Sequence, residues 1–231
     1  MSTDAAPVIT VDGPSGTGKG TLGLKLARAL GWHFLDSGAV YRALALRVMA
    51  LEMPVEDESP IAALAGRLVV CFHDQGGAGI RVFCEGTDTS DAIRGEDCAR
   101  VASRVAVLPA VRAALLALQR GYCRPPGLIA DGRDMGTVVF PAAPLKLYLA
   151  ASAEARAQRR YKQLKQQGID VTLPQLIQDI AERDARDRGR RAAPLMPAGD
   201  AVVIDTTEWD ASAVFERVKQ LVRERGLAGR D

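Results

Sequence analysis

The sequence predicts an α/β protein with a parallel β-sheet at its core, and two features of the chain support this fold class. Short apolar runs rich in β-branched residues alternate with longer stretches in which leucine and alanine recur at helical spacing. Alternation of this kind implies parallel strands joined by crossover helices. Five runs have the composition of buried strands and predict a five-stranded sheet: residues 7–12, 33–35, 128–130, 145–149 and 202–204.

A glycine-rich loop follows the first predicted strand. Its sequence, GPSGTGKGT, matches the phosphate-binding pattern G-x-x-x-x-G-K-[ST] at Gly13, Gly18 and Lys19. The pattern expects Ser or Thr after the lysine, but Gly20 stands there and Thr21 follows one place late. A buried strand before the loop and an amphipathic helix after it supply the context that the motif requires. The loop is therefore predicted to bind a nucleotide phosphate.

Phosphate binding by this loop has an electrostatic basis. Backbone N–H groups of residues 15–20 would surround the phosphate, and the N-terminus of the following helix would add positive potential. Lys19 would reach the phosphate oxygens as a point charge. The candidate nucleotide-binding residues of the loop are Gly13, Pro14, Ser15, Gly16, Thr17, Gly18, Lys19, Gly20 and Thr21.

The middle of the chain follows a different pattern. Two strand-like runs, at residues 68–72 and 80–84, flank the turn-rich segment 75–79 and predict an antiparallel hairpin. Two helices are expected after the hairpin, at about 95–107 and 109–122. A small α+β insertion within the α/β core is therefore expected.

Two charged helices are predicted before the last strand. Ser152 can cap the first of them, which carries Arg156 and Arg159 on one face. Thr172 and Gln175 have the spacing of a capping box at the start of the second. The second helix has an apolar stripe formed by Leu173, Leu176, Ile177 and Ile180.

Polar residues follow three of the predicted strands. They are Asp131, Ser152 and the pair Asp205 and Thr206. In an open parallel sheet, ligands bind beyond the carboxyl ends of the strands. The sequence therefore predicts a ligand site at this edge of the sheet.

The composition limits the choice of cofactor and compartment. The chain has four cysteines without a C-x-x-C pair and only two histidines, so a zinc site is not expected. This cysteine usage favours a reduced, cytoplasmic setting. We expect no signal peptide, because the N-terminus lacks a positive region followed by an apolar one. We expect no membrane span, because no apolar run reaches about 18 residues.

Three segments follow the glycine loop in a fixed order. They are LDSGAVYR at residues 35–42, IADGRDMGTVVFP at 129–141 and ERDARDRGRRAAPL at 182–195. Together with the loop they resemble the bacterial cytidylate kinases, a family of P-loop nucleoside monophosphate kinases, from about residue 7 to about residue 222. The resemblance implies a three-layer P-loop fold with a small antiparallel α+β insertion and a short helical lid.

The resemblance also implies a division of the chain. A P-loop core is expected at residues 1–62 and 124–231, with the lid at about 152–192. The insertion at 63–123 would be the monophosphate-binding region. We expect the protein to be a monomer.

The activity that the resemblance implies is transfer of the γ-phosphate of ATP to CMP or dCMP. The glycine loop would bind ATP. Magnesium would be held mainly by nucleotide phosphates and water, as in that family, and a direct bond to Thr21 stays open. No general base is required, because the acceptor phosphate, with a second pKa of about 6, is largely ionised at neutral pH.

Four cations would act on the transferring phosphates, as the resemblance implies. They are Lys19 and the three arginines that would hold the acceptor phosphate, Arg42, Arg133 and Arg190. Joining two polyanions requires converging positive charge, and guanidinium groups suit this through bidentate hydrogen bonds. Ser37 also matches a residue of the acceptor site.

The remaining site residues come from the same resemblance. Asp134 would accept a hydrogen bond from the amino group of cytosine, and Ser103 and Arg112 would read the rest of the base. Arg183 and Asp187 would contact the acceptor ribose. Two further arginines, Arg156 and Arg159, would belong to a lid that closes over ATP.

Several alternatives stay open. Asp134 could pair with a neighbouring arginine instead, Arg183 and Asp187 could form an internal ion pair, and Asp36 could orient Ser37 or act on a magnesium-bound water. The acceptor could be another small molecule, such as UMP or shikimate. Nucleic-acid binding by the basic segment 153–191 is disfavoured, since acidic residues interrupt it. A GTPase is disfavoured because the chain contains no asparagine for an N-K-x-D motif.

Overall fold

The structure is a computed structural model that describes residues 6–76, 79–166, 168–190 and 192–227. The chain forms two compact units. The larger unit contains the residues up to Phe34 and from Cys123 onwards, and the smaller unit is Leu35–Tyr122. Residues 77 and 78 of the predicted hairpin turn lie outside the described residues.

A five-stranded sheet forms the core of the larger unit. Its strands are β1 (Val8–Asp12), β2 (His33–Asp36), β6 (Leu128–Gly132), β7 (Leu145–Ala150) and β8 (Val202–Asp205). They lie in the order β2-β6-β1-β7-β8, and β1 pairs in parallel with both β6 and β7. All five residues of β1 are buried, which explains why this strand is a continuous apolar run rather than an alternating one. The predicted parallel five-stranded sheet is therefore confirmed.

Two helices pack against this sheet through a shared apolar core. They are α1 (Lys19–Leu30) and α8 (Ala211–Glu224). Leu22 and Leu26 of α1 and Val218 of α8 are buried in one cluster with the aliphatic side chains of the strands. Helix α1 ends at Gly31, whose positive φ of 67° is the left-handed conformation that the predicted cap requires.

Helices α6 (Ala153–Gln166) and α7 (Leu173–Arg188) form a separate small cluster in the same unit. The Ser152 hydroxyl accepts a hydrogen bond from the Ala155 N–H at 3.1 Å, so the predicted cap of α6 is confirmed. The predicted capping box of α7 is wrong. Within the described chain the Thr172 side chain makes no capping hydrogen bond, and the Gln175 amide donates forward to Asp179 instead.

The smaller unit combines helices with a short antiparallel sheet. Strands β3 (Val70–Asp74) and β4 (Ile80–Cys84) form the predicted hairpin, and β5 (Thr87–Asp88) adds a third strand. The helices are α2 (Ser37–Ala50), α3 (Glu58–Ala65), α4 (Glu96–Val105) and α5 (Pro109–Gly121). Helix α2 packs against α4, and α3 packs against α5.

Among the described residues, none of the helices is by itself both long enough and apolar enough to cross a membrane. Helices α4 and α5 taken together reach the required length and composition, and they meet at a bend of 103°.

The four cysteines are all free thiols. Cys71 on β3 is exposed, whereas Cys84 and Cys98 are buried and Cys123 is half-buried. Burial raises the thiol pKa of Cys84, Cys98 and Cys123. The structure thus contains no disulfide among these four residues.

Candidate functional site

The glycine loop has a backbone that requires glycine at defined positions. Gly13 has a φ of 143°, and a Cβ there would lie 2.2 Å from the carbonyl oxygen of Leu149 on β7. Gly16 and Gly18 also have positive φ angles, of 82° and 92°. Side chains are unfavourable in this conformation, so the spacing of the glycines in the motif follows from the path of the loop.

Lys19, the first residue of α1, is nearly buried at the base of this loop. Its Nζ donates to the carbonyl oxygen of Pro14 at 3.1 Å and lies 3.9 Å from a carboxylate oxygen of Asp131. Asp131 is itself buried and would be 3.3 Å from a Cβ at Gly20. The predicted site residues do not include Asp131, although its place at the end of a strand was the signal available in the sequence.

Asp12, the last residue of β1, is a second buried carboxylate beside the loop. One oxygen accepts from the Met135 N–H and the other from the Gly136 N–H, each at 2.8 Å. Burial raises the pKa of Asp12 from 3.8 to about 6, the two backbone hydrogen bonds oppose this shift, and the nearby charge of Asp134 adds to it. Asp12 was also absent from the predicted site.

Met135 and Gly136 open a short π-helical turn, Met135–Val139, which we call the 135–139 turn. Single π-helical turns are rare and are frequently found at functional sites. Asp134 immediately precedes the turn and is 5% exposed, and its carbonyl oxygen accepts from the N–H groups of Val138 and Val139. The structure thus holds the predicted base-reading carboxylate at the start of a constrained turn.

Two predicted arginines converge on Asp187 of α7. The Arg133 Nε donates to one carboxylate oxygen at 2.9 Å, and an Arg190 Nη donates to the other. Burial would raise the pKa of Asp187, but Arg133, Arg190 and the charge of Arg183 together hold it below its usual value. The Asp187 side chain is only 2% exposed and remains ionised. We call Asp187 and these two arginines the Asp187 cluster.

Arg156 of α6 is buried against the glycine loop rather than solvated. Its guanidinium forms a bidentate pair with Asp184 of α7, at 3.1 and 2.6 Å, and also donates to the carbonyl oxygen of Ser15 at 3.2 Å. A Cβ at Gly16 would lie 3.1 Å from the Arg156 Cβ. Arg156 therefore joins the loop to helices α6 and α7.

Arg159 lies one turn further along α6 and contacts the segment after β8. Its guanidinium donates to the carbonyl oxygen and the hydroxyl of Thr206. Thr206 is buried, and its hydroxyl lies 3.4 Å from the carbonyl oxygen of Thr17 in the glycine loop. Both predicted lid arginines therefore belong to hydrogen-bond networks that reach the loop.

Four of the predicted acceptor-site residues belong to the smaller unit. Arg42 donates to the carbonyl oxygen of Ile93 at 2.7 Å, and Arg112 donates to that of Ala106 at 3.2 Å. Ser37 is buried at the start of α2. The Ser103 hydroxyl is buried and has no hydrogen-bond partner within the described chain.

Asp36 has a local structural role in this unit. Its carboxylate caps α2 by accepting a hydrogen bond from the Ala39 N–H at 3.0 Å. A Cβ at Gly38 would lie 3.1 Å from the same carboxylate oxygen. Asp36 thereby fixes the first turn of α2, which begins at Ser37.

No group of three or more potential metal-ligating residues occurs in the part of the chain that the structure describes. Two carboxylates, Asp12 and Asp131, lie at the ends of neighbouring strands, where Val11 is opposite Asp131 in the register. Thr21 is exposed on the first turn of α1. These side chains do not form a protein-only metal cage.

Known proteins resemble this chain over nearly its whole length. The family model described as "Cytidylate kinase" matches residues 9–224. A cytidylate kinase of Shewanella denitrificans is 53% identical over 221 residues, covering 95% of this chain and 97% of the relative. Those of Methylococcus capsulatus and Coxiella burnetii are 54% and 49% identical, covering 92% and 96% of this chain and 95% and 94% of the relatives.

Proposed function

Since the chain belongs to the cytidylate kinase family, we propose that it transfers the γ-phosphate of ATP to CMP or dCMP, giving ADP and CDP or dCDP. The transfer is an in-line displacement by an oxygen of the acceptor phosphate. That oxygen is already ionised at neutral pH, so no side chain has to remove a proton. Catalysis then consists of positioning, charge stabilisation and exclusion of water.

The Asp187 cluster is the observation that supports this reaction best. The buried Asp187 carboxylate holds the guanidinium groups of Arg133 and Arg190 in place. Preorganised cations stabilise charge on the transferring group without reorganising during the reaction. In the proposed site both arginines bind the acceptor phosphate, together with Arg42 of the smaller unit.

On the ATP side, the glycine loop holds the phosphates with its backbone N–H groups, and Lys19 binds their oxygens. In the structure the Lys19 ammonium group donates to Pro14 and lies near Asp131, so it is held at the loop. Bound phosphate oxygens would take over part of this hydrogen bonding. Arg156 and Arg159 support the loop from the lid helices.

Cytosine selection falls to Asp134 in this proposal, with Ser103 and Arg112 contacting other parts of the base. A carboxylate accepts from the 4-amino group of cytosine and repels the 4-carbonyl group of uracil. The buried Ser103 hydroxyl would gain a partner from the base. Arg183 and Asp187 would contact the ribose. Asp187 combines that role with its two ion pairs.

Magnesium fits this site as a companion of ATP. Asp12 and Asp131 lie at the ends of neighbouring strands, and Thr21 is exposed on the first turn of α1. The ion would be held mainly through nucleotide phosphates and water. When bound, the ion would offset negative charge on the β- and γ-phosphates. The protein's own residues position the phosphates.

The test is a coupled assay of ADP release with CMP, dCMP, UMP, AMP, GMP and shikimate as acceptors. We expect CMP and dCMP to be used far better than the others, since a site built around a substrate hydrogen bond discriminates by about 10⁴–10⁵. Preference for UMP or shikimate would replace the proposed acceptor. Light scattering in the same buffer tests the proposed monomer.

The Asp134→Asn variant tests how the base is read. We expect a lower kcat/KM for CMP and a smaller advantage of CMP over UMP, because an amide can also donate to the uracil carbonyl. Glu182→Gln, on an exposed residue of α7, is a control for an equivalent change of charge. An unchanged CMP-to-UMP ratio in Asp134→Asn would show that this carboxylate does not read the base.

A further inference from the structure

Asp12 connects the glycine loop to the 135–139 turn. It is the residue directly before Gly13, and its side chain is 4% exposed. Its two carboxylate oxygens accept hydrogen bonds from the N–H groups of Met135 and Gly136. These two residues lie 123 and 124 positions further along the chain. A bidentate contact of this kind fixes both the position and the orientation of the two peptides.

The packing around Gly136 leaves no room for the turn to move towards the sheet. A Cβ there would lie 2.9 Å from the Thr10 hydroxyl, 3.2 Å from the Lys146 Cδ and 3.3 Å from an Asp12 carboxylate oxygen. Thr10 and Asp12 lie on the same face of β1, because side chains alternate along a strand. Glycine therefore allows the turn to approach β1 closely enough for Asp12 to bind both N–H groups.

The segment held in this way carries the residues that would meet the acceptor. Asp134 directly precedes the turn, and Arg133 of the Asp187 cluster precedes Asp134. Asp12 binds this segment through the backbone N–H groups of Met135 and Gly136. It acts on the backbone from which both side chains project.

We propose that Asp12 is a positioning residue for acceptor recognition: its carboxylate holds the 135–139 turn so that Asp134 meets the cytosine base of the acceptor. This rests on the proposed function, because it assumes that Asp134 reads the base. Asp12 adjoins the loop proposed to bind ATP, but in this proposal it acts on the recognition of CMP.

The main variant is Asp12→Asn. An amide oxygen can keep one of the two hydrogen bonds, but the amide nitrogen is a donor and cannot accept the other. Displacing a positioned group by about 1 Å can cost about 10²-fold in rate. We expect kcat/KM for CMP to fall by about this factor, the CMP-to-UMP ratio to fall as well, and KM for ATP to stay unchanged.

A second variant disturbs the same contact from the other side and leaves Asp12 in place. In Gly136→Ala the new methyl group displaces the turn from β1, so the same loss of CMP selection is expected. Thr10→Ala removes the atom closest to that methyl group and should partly restore CMP use to Gly136→Ala. The double variant Asp12→Asn/Gly136→Ala should be little worse than the more damaging single change, since both act on one contact.

Asp179→Asn is the control. It makes the same carboxylate-to-amide change on an exposed residue of α7, whose carboxylate accepts a hydrogen bond from the Gln175 side chain. Its CMP-to-UMP ratio should equal that of the wild type. Circular dichroism and thermal melts establish which variants are folded. If Asp12→Asn does not fold, the CMP-to-UMP ratio of Gly136→Ala tests the role of Asp12.

The outcomes separate the two levels of the proposal. A wild-type protein that does not phosphorylate CMP refutes the proposed function. If the wild type is active but folded Asp12→Asn and Gly136→Ala keep its CMP-to-UMP ratio, the function stands and the role of Asp12 is refuted. A rise in KM for ATP alone would show that Asp12 serves the glycine loop instead.

Discussion

At the scale of single residues, the charged groups of the larger unit are held by buried counter-ions. Asp187 pairs with Arg133 and Arg190, and Asp184 pairs with Arg156. Removing one member of such a pair leaves a buried charge uncompensated, whereas the intact pair adds little net stability. The presence of these pairs is therefore better explained by the fixed orientation that they give to the arginines than by a gain in stability.

Lys19→Ala should lower kcat about 10²–10³-fold and leave the fold intact. The lysine is proposed to bind oxygens whose charge changes during transfer, and loss of one such interaction typically costs about 3–4 kcal/mol of transition-state stabilisation. Steady-state kinetics with saturating ATP and CMP measure the effect. Lys25→Ala, on an exposed residue of the same helix, is the control and should turn over normally. Wild-type kcat in folded Lys19→Ala would remove this residue from the mechanism.

Patterns within single elements predicted most of the fold but few of the contacts at the site. The β-branched run at 7–12 and the glycine loop identify β1 and α1, because strand and helix signals are local. Asp184 and Asp187 are different, since Asp184 meets Arg156 28 residues away and Asp187 meets Arg133 54 residues away. Their partners depend on how helices pack, which no local pattern encodes. The capping box at Thr172 failed for a local reason, because the Gln175 side chain pairs with Asp179 one turn further along the same helix.

At the scale of elements, Arg156 and Asp184 connect helices α6 and α7 to the glycine loop. Asp184→Ala should lower the free energy of unfolding by about 3–5 kcal/mol. This is the typical cost of leaving one partner of a buried ion pair without its counter-charge. It should also raise KM for ATP, because Arg156 would no longer be aligned on the Ser15 carbonyl. Chemical denaturation and ATP kinetics measure the two effects.

The double variant Arg156→Met/Asp184→Leu distinguishes stability from alignment. Apolar residues of similar size often replace a buried ion pair without loss of stability. The free energy of unfolding should therefore return towards the wild-type value while KM for ATP stays high. Asp179→Ala, on an exposed residue of α7, is the control for the helix itself. Recovery of both properties in the double variant would mean that the pair only holds the helices together.

At the scale of the whole molecule, the predicted site residues come from both units of the chain. The glycine loop, Arg156, Arg159 and the Asp187 cluster belong to the larger unit, and Ser37, Arg42, Ser103 and Arg112 belong to the smaller one. The chain passes between the units twice, after Phe34 and after Tyr122. In the sequence, the predicted antiparallel hairpin was the feature that indicated an inserted region.

Asp12 should make the stability of the whole fold depend on pH in a predictable direction. Its pKa is about 6 in the folded protein and 3.8 is the ordinary value. Between these values the folded state binds more protons than the unfolded state, so this contribution to stability is present at low pH and is lost as pH rises through about 6. Denaturant titrations of the wild type and Asp12→Asn should show their difference changing by up to about 3 kcal/mol across this range. A pH-independent difference would contradict the raised pKa.

The unequal exposure of the four thiols provides a natural attachment point for a spectroscopic label. Cys71 on β3 is exposed, whereas burial keeps Cys84, Cys98 and Cys123 in the less reactive protonated form. A maleimide fluorophore or nitroxide should therefore attach at Cys71 without any mutagenesis. Such a label would report on the smaller unit during turnover, in a protein whose chain is otherwise unmodified.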